Sequence, residues 1–122
     1  MSQPILLVDD DPTIVELVSK VLRMAGYDVV SANNGAQALT IAQADPRICL
    51  VLSDIVMPGM TGVQLCERLK AWRPELKCIL MSGYDMGLME REWDVYFLPK
   101  PFFPRDLLGK VREVLALEPV GC

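Results

Sequence analysis

The chain has 122 residues, 52% of them hydrophobic and 23% charged, with a formal net charge of −4. That composition describes one globular domain with a proper core and excludes a disordered or low-complexity chain. No apolar stretch approaches the roughly 18–20 residues of a membrane span, no charged-then-apolar leader is visible, and the acidic balance leaves no electrostatic footprint for direct contact with nucleic acid.

Short apolar runs alternate with helical patterns from end to end. A first strand at 4–8 leads into Asp11-Pro12, a helix start in which Asp11 caps and Pro12 takes the first helical position. Ile14, Val15, Val18, Val21, Leu22 and Ala25 then recur at helical spacing until Gly26 ends the helix. Residues 27–31 form the second strand, and Asn33-Asn34-Gly35 turns the chain into an alanine-rich helix over 35–44 that stops at Asp45-Pro46. The third strand spans 48–53. After Met57-Pro58-Gly59-Met60, Thr61 can cap a helix carrying Val63, Leu65, Cys66 and Leu69. Residues 77–81 give the fourth strand, 85–92 leave room for about two helical turns, and a short fifth strand at 94–98 runs to Lys100-Pro101. The last helix, from Pro104 to about Leu117, places Leu107, Leu108, Val111, Val114 and Leu115 on one face, and the tail 119–122 is expected to fray. Phe103 stands where a Ser or Asp cap is expected, a deficit of ~1 kcal/mol.

Five strands alternating with five helices predict an α/β fold, a single doubly wound (βα)5 domain with a parallel sheet and a shortened fourth helix. Pattern alone does not fix the strand order. The flavodoxin-like order 2-1-3-4-5 puts strands 1 and 3 side by side at the switch point. Asp9 and Asp10 come after strand 1, Asp54 after strand 3 and Lys100 after strand 5. Under that order three carboxylates and one ammonium converge at the carboxyl edge of the sheet, a site for a divalent cation and a phosphoryl group.

Each position also has a plainer reading. Asp11 reads better as a helix cap than as a ligand, Ser82 could be an ordinary turn residue, and Phe97 could be plain core. Asp9 and Asp10 as simple loop acids would repel each other with no structural return. The four cysteines, Cys49, Cys66, Cys78 and Cys122, lack CxxC spacing, and with no histidine in the chain a zinc site is not assembled. They are expected to be reduced thiols in a cytoplasmic protein.

Taken together, Val8-Asp9-Asp10, the run from Ser53-Asp54 through Met57-Pro58-Gly59-Met60-Thr61-Gly62, Ser82 and Lys100-Pro101-Phe102 resemble the receiver domains of two-component response regulators over essentially the whole chain. The resemblance implies that Asp54 accepts a phosphoryl group from a phosphohistidine on a sensor histidine kinase or histidine phosphotransfer protein. It implies Mg²⁺ (or Mn²⁺) held by Asp9, Asp10, Asp54 and the main-chain carbonyl of Val56. Ser82 and Lys100 would contact the phosphoryl oxygens, with a cis Lys100–Pro101 bond aiming the ammonium inward. Ser82 and Phe97 would relay the change, and the chain would not be a turnover enzyme on an external substrate.

Some features depart from the common pattern of that family. Gly83 follows Ser82 where alanine is usual, the segment from Ser82 to Lys100 is short, and Phe103 stands before Pro104 where a cap is expected. Separately, Val56 and Tyr84 would flank the route for attacking water with bulky side chains, which predicts a long-lived phosphorylated state. The stretch Met81-Ser82-Gly83-Tyr84 with Phe97 to Phe102 is similar to receivers attached to hybrid sensor kinases. Trp93, Tyr96, Phe102 and Phe103 suit either an exposed partner patch or a cover over the core. Two other classes compete: a receiver-like module that no longer takes phosphate, and an enzyme such as a flavodoxin relative or an aspartate-nucleophile phosphatase. The first keeps no reason for all five polar positions. The second lacks a phosphate-cradling loop after strand 1 and an Asp-x-Asp motif at Asp54.

Overall fold

The structure is a computed structural model that describes residues 4–82 and 96–116, Ser82 by its backbone alone. Its elements run in the order β1 (Ile5–Val8), α1 (Pro12–Met24), β2 (Val29–Ala32), α2 (Gly35–Ala44), β3 (Leu50–Asp54), α3 (Gly62–Trp72), β4 (Lys77–Ser82), β5 (Tyr96–Pro99) and a C-terminal helix α4 (Pro104–Ala116). All neighbouring strands pair in parallel, in the order β2-β1-β3-β4-β5. This is the doubly wound α/β arrangement that the alternating pattern predicts, and its strands take the flavodoxin-like order. The helical segment expected at 85–92, its shortness, Gly83, Tyr84, Trp93 and the tail at 119–122 lie outside the described residues.

The strands read as unbroken apolar runs because both faces of the sheet are covered. Successive side chains point to opposite faces. Leu6, Val8, Val51, Cys78 and Leu80 pack with Ala38 and Ala42 of α2 and Leu65 and Leu69 of α3. Ile5, Leu7, Leu50, Leu52, Ile79 and Met81 pack on the other side with Val18 and Leu22 of α1 and Leu107, Val111 and Val114 of α4. Every one of these residues is buried.

Helix ends are fixed by side chains. Asp11 accepts from the Thr13 N–H at 2.9 Å, Asn34 from the Gln37 N–H at 2.8 Å, and Thr61 with Gln64 closes a reciprocal capping box. The deficit expected at Phe103 is offset from the third helical position, where the Asp106 carboxylate accepts the Phe103 N–H at 2.9 Å. Gly26 takes a left-handed φ of 97° at the end of α1. β2 starts two residues later than predicted because the Tyr27 N–H still caps α1 at Leu22 O, 3.1 Å away. β3 likewise begins at Leu50, since the Ile48 N–H closes a turn onto Asp45 O. Tyr96 and Phe102 are partly buried against the core, whereas Phe103 is 64% exposed under the Arg105 guanidinium. Cys66 and Cys78 are free, buried thiols. Cys49 is disulfide-bonded, which corrects the expectation of a reduced thiol there. It sits just before the first residue of β3, at the end of the sheet opposite the strand carboxyl ends.

Candidate metal and phosphoryl site

Parallel pairing decides what meets at the sheet edge. Val8 lies in register with Ser53, Asp54 with Met81, and Ser82 with Pro99. The residues next after β1 and β5 therefore emerge beside the last residue of β3. Asp9, Asp10 and Asp54 each place a carboxylate oxygen within 4.8 Å of the other two. Lys100 Nζ donates to Asp54 Oδ1 at 3.1 Å, closing the fourth side. The Lys100–Pro101 bond is cis, as expected. Asp11 stays with its cap and outside the cluster, although its main-chain N–H donates to Asp9 Oδ1 at 2.9 Å.

Asp9 is 2% exposed, and its Oδ2 has no hydrogen-bond partner among the described residues. A buried carboxylate oxygen without a donor is costly. Burial is the main reason the Asp9 carboxyl is pushed above its ordinary value; the Asp11 N–H opposes it, Asp54 adds to it, Lys100 opposes it and Asp10 adds to it. A cation at the centre would supply the missing partner and cancel the mutual repulsion. Three carboxylates are an all-oxygen set, the donor type that hard divalent cations prefer. The residues present therefore fit such an ion.

The backbone around Asp54 is held closely. Ser53 Oγ donates to Asp54 O at 2.8 Å, the Ile55 N–H reaches Met81 O at 3.3 Å, and the Gly62 N–H reaches Ile55 O at 2.8 Å. A Cβ on Gly62 would overlap the Asp54 carbonyl, so only glycine lets α3 start this close to the acceptor strand. These supporting roles of Ser53 and Gly62 are not readable from the sequence, where the only signal is a glycine immediately after the Thr61 cap. Val56, two residues beyond Asp54, is 71% exposed. Phe97 is buried among the residues on the α2–α3 face. The backbone of Ser82 ends β4 beside Pro99.

A parallel sheet whose carboxyl edge gathers three aspartates and a lysine defines a class of acidic-pocket α/β domains. Comparison with known proteins narrows it. A family model described as "Response regulator receiver domain" matches residues 5–112. The "DNA-binding response regulator MtrA" of Mycolicibacterium smegmatis is 40% identical over 117 residues, covering 92% of this chain and 50% of that protein. The "Response regulator receiver protein CpdR" of Brucella abortus is 36% identical over 115 residues, covering 91% of this chain and 95% of that protein. Among solved structures, the receiver domain of the hybrid histidine kinase CckA superposes with a TM-score of 0.78 at 33% identity, covering 92% of this chain and 98% of that one. The chain belongs to the response-regulator receiver-domain family. It spans about half the length of the mycobacterial regulator and nearly all of CpdR.

Proposed function

We propose that this receiver domain takes a phosphoryl group from a partner phosphohistidine onto Asp54, with Mg²⁺ (or Mn²⁺) held by Asp9, Asp10, Asp54 and the Val56 carbonyl. The observation that carries the reading is the placement of Asp54 between two further carboxylates within 4.8 Å and an ammonium at 3.1 Å. A carboxylate oxygen of Asp54 attacks phosphorus, the P–N bond of the donor breaks, and its electron pair returns to the imidazole nitrogen, leaving an acyl phosphate. Such transfers ask little of the protein beyond in-line positioning and neutralisation of the equatorial oxygens. The bound cation supplies Lewis-acid neutralisation of those oxygens. Lys100, 3.1 Å from Asp54 Oδ1, would supply a second positive charge, and the Ser82 hydroxyl is assigned to a phosphoryl oxygen in the product. The bonds to the Asp54 and Ile55 backbone keep the acceptor from swinging away.

Readout is assigned to Ser82 and Phe97. The phosphoryl group adds charge and acceptor oxygens, and contacts made only to that form bias two packings of β4 and β5. The domain acts on itself and is not a turnover enzyme on an external substrate. Its donor is a sensor histidine kinase or histidine phosphotransfer protein. An apolar groove of about 460 Å³ lies beside the Lys100–Pro101 turn, lined by Ile14, Leu17, Val21, Phe102 and Leu107. The domain makes no direct nucleic-acid contact of its own, and its output arises in whatever longer or separate protein it serves. No described helix is long and apolar enough to cross a membrane. A cytoplasmic placement is supported by the free thiols Cys66 and Cys78.

The test is incubation with acetyl phosphate or phosphoramidate and Mg²⁺, followed by intact-mass measurement. The expected result is a gain of one phosphoryl group that EDTA or Asp54→Asn abolishes. Equal phosphorylation of Asp54→Asn would reject the assignment.

A further inference from the structure

The loop from Ile55 to Thr61 carries the Val56 carbonyl, and its far end is held by a contact the site chemistry does not use. Met60 lies partly buried against the core and directly over Gly35, the first residue of α2. A Cβ at Gly35 would come to 2.7 Å from Met60 Sδ, 2.9 Å from its Cβ and 3.1 Å from its Cγ. The overlap with Cβ matters most, because that atom moves only with the backbone. Gly35 has no left-handed φ, so glycine is there for space and not for conformation. Its helix is already capped by Asn34, whose side chain accepts from Gln37, while Gln37 Oε1 accepts from Asn33 at 2.6 Å. Other supports of the loop are Met57, buried in the same core cluster, the Ile55 N–H on Met81 O, the Gly62 N–H on Ile55 O and the Thr61 N–H on Gln64 Oε1.

We propose that Gly35 is a positioning residue for the metal site: the space left by its missing Cβ seats Met60, and that seat sets the β3–α3 loop which bears the Val56 carbonyl. This rests on the metal reading given above. Groups that directly hold a metal's ligands are worth about 10–100-fold in affinity; Gly35 acts one stage further out, through Met60 and the loop, so the lower end of that range is expected. An alanine at a first helical position is a better helix former than glycine, so Gly35→Ala without the overlap would leave α2 at least as stable.

The experiment is calorimetric titration of the full chain with Mg²⁺ alone, for wild type, Gly35→Ala, Met60→Gly and the double variant, with urea unfolding of each. The expected result is about tenfold weaker Mg²⁺ binding by Gly35→Ala. In the Met60→Gly background the same substitution should add no further loss, because the overlapping atoms are gone. Wild-type affinity in Gly35→Ala overturns the proposal and leaves the metal reading standing. Should Gly35→Ala fail to fold, Met60→Gly carries the test: severalfold weaker binding supports the seat, and unchanged binding overturns it. No Mg²⁺ binding by wild type would reject the metal reading, and the proposal with it.

Discussion

Replacing Asp9 by asparagine should stabilise the metal-free protein and destabilise the metal-loaded one. Asp9 and Asp54 hold carboxylate oxygens within 4.8 Å. Coulomb's law at that distance gives about 3.5 kcal/mol at an effective dielectric of 20 and about 0.9 kcal/mol in water. The substituted amide would keep the oxygen that accepts the Asp11 N–H at 2.9 Å. It would also offer N–H donors where Asp9 Oδ2 now has no partner among the described residues. A gain of about 1–2 kcal/mol in EDTA is expected, the lower half of the Coulomb range, because Lys100 already offsets part of the repulsion. The pH dependence has the same sign. Asp9 is raised above its ordinary value by burial, so the folded state holds that proton to higher pH than the unfolded state does. Between the two values wild type therefore loses stability as pH rises, and Asp9→Asn lacks that part of the slope. With Mg²⁺ at 100 times its dissociation constant, wild type gains about 2.7 kcal/mol by mass action and Asp9→Asn does not. Urea unfolding at neutral and mildly acidic pH, with EDTA and with Mg²⁺, measures all of this. Asp9→Asn no more stable than wild type in EDTA would refute the reasoning.

Lys100→Met separates the ammonium's two effects. It removes a cation 3.1 Å from Asp54, so Mg²⁺ should bind more tightly in calorimetry while phosphorylation by acetyl phosphate slows by about 10²-fold. Gly62→Ala forces a methyl group into the Asp54 carbonyl; a loss of about 1–3 kcal/mol in urea unfolding is expected, with slower phosphorylation even where the protein is folded. Asp106→Ala removes the acceptor for the Phe103 N–H and a negative charge from the start of α4, which should cost about 1 kcal/mol in thermal unfolding and leave Mg²⁺ affinity unchanged.

Much of the fold and site is legible in the sequence because parallel strands buried on both faces leave a simple trace. Ile5 to Val8 and Leu50 to Ser53 read as apolar runs, and the residue after each run must emerge at the sheet's carboxyl edge. That places Asp9, Asp10, Asp54 and Lys100 together once the strand order is chosen, a choice that rests on a fold rule and not on the residues. Caps at Asp11 and Thr61 are readable because they act over three or four residues. Where the partner is distant, the sequence is silent. Nothing in Gly35 or Met60 announces that one needs the other's missing Cβ, and Gly62 looks like any helix-start glycine until Asp54 lies against it. The cap of α4 is as local as those at Asp11 and Thr61, with Asp106 three residues on, and only a search for an acceptor at position 103 itself passes over it. The Cys49 disulfide leaves no spacing signal at all.

Trapping the phosphorylated carboxylate tests the central claim most directly. Borohydride reduces an acyl phosphate of aspartate to homoserine, and peptide sequencing by mass spectrometry then reads the position. After incubation with acetyl phosphate, homoserine is predicted at position 54 alone, present with Mg²⁺ and absent with EDTA. Homoserine at position 9 or 10, or at 54 to the same extent without a divalent cation, would contradict the account.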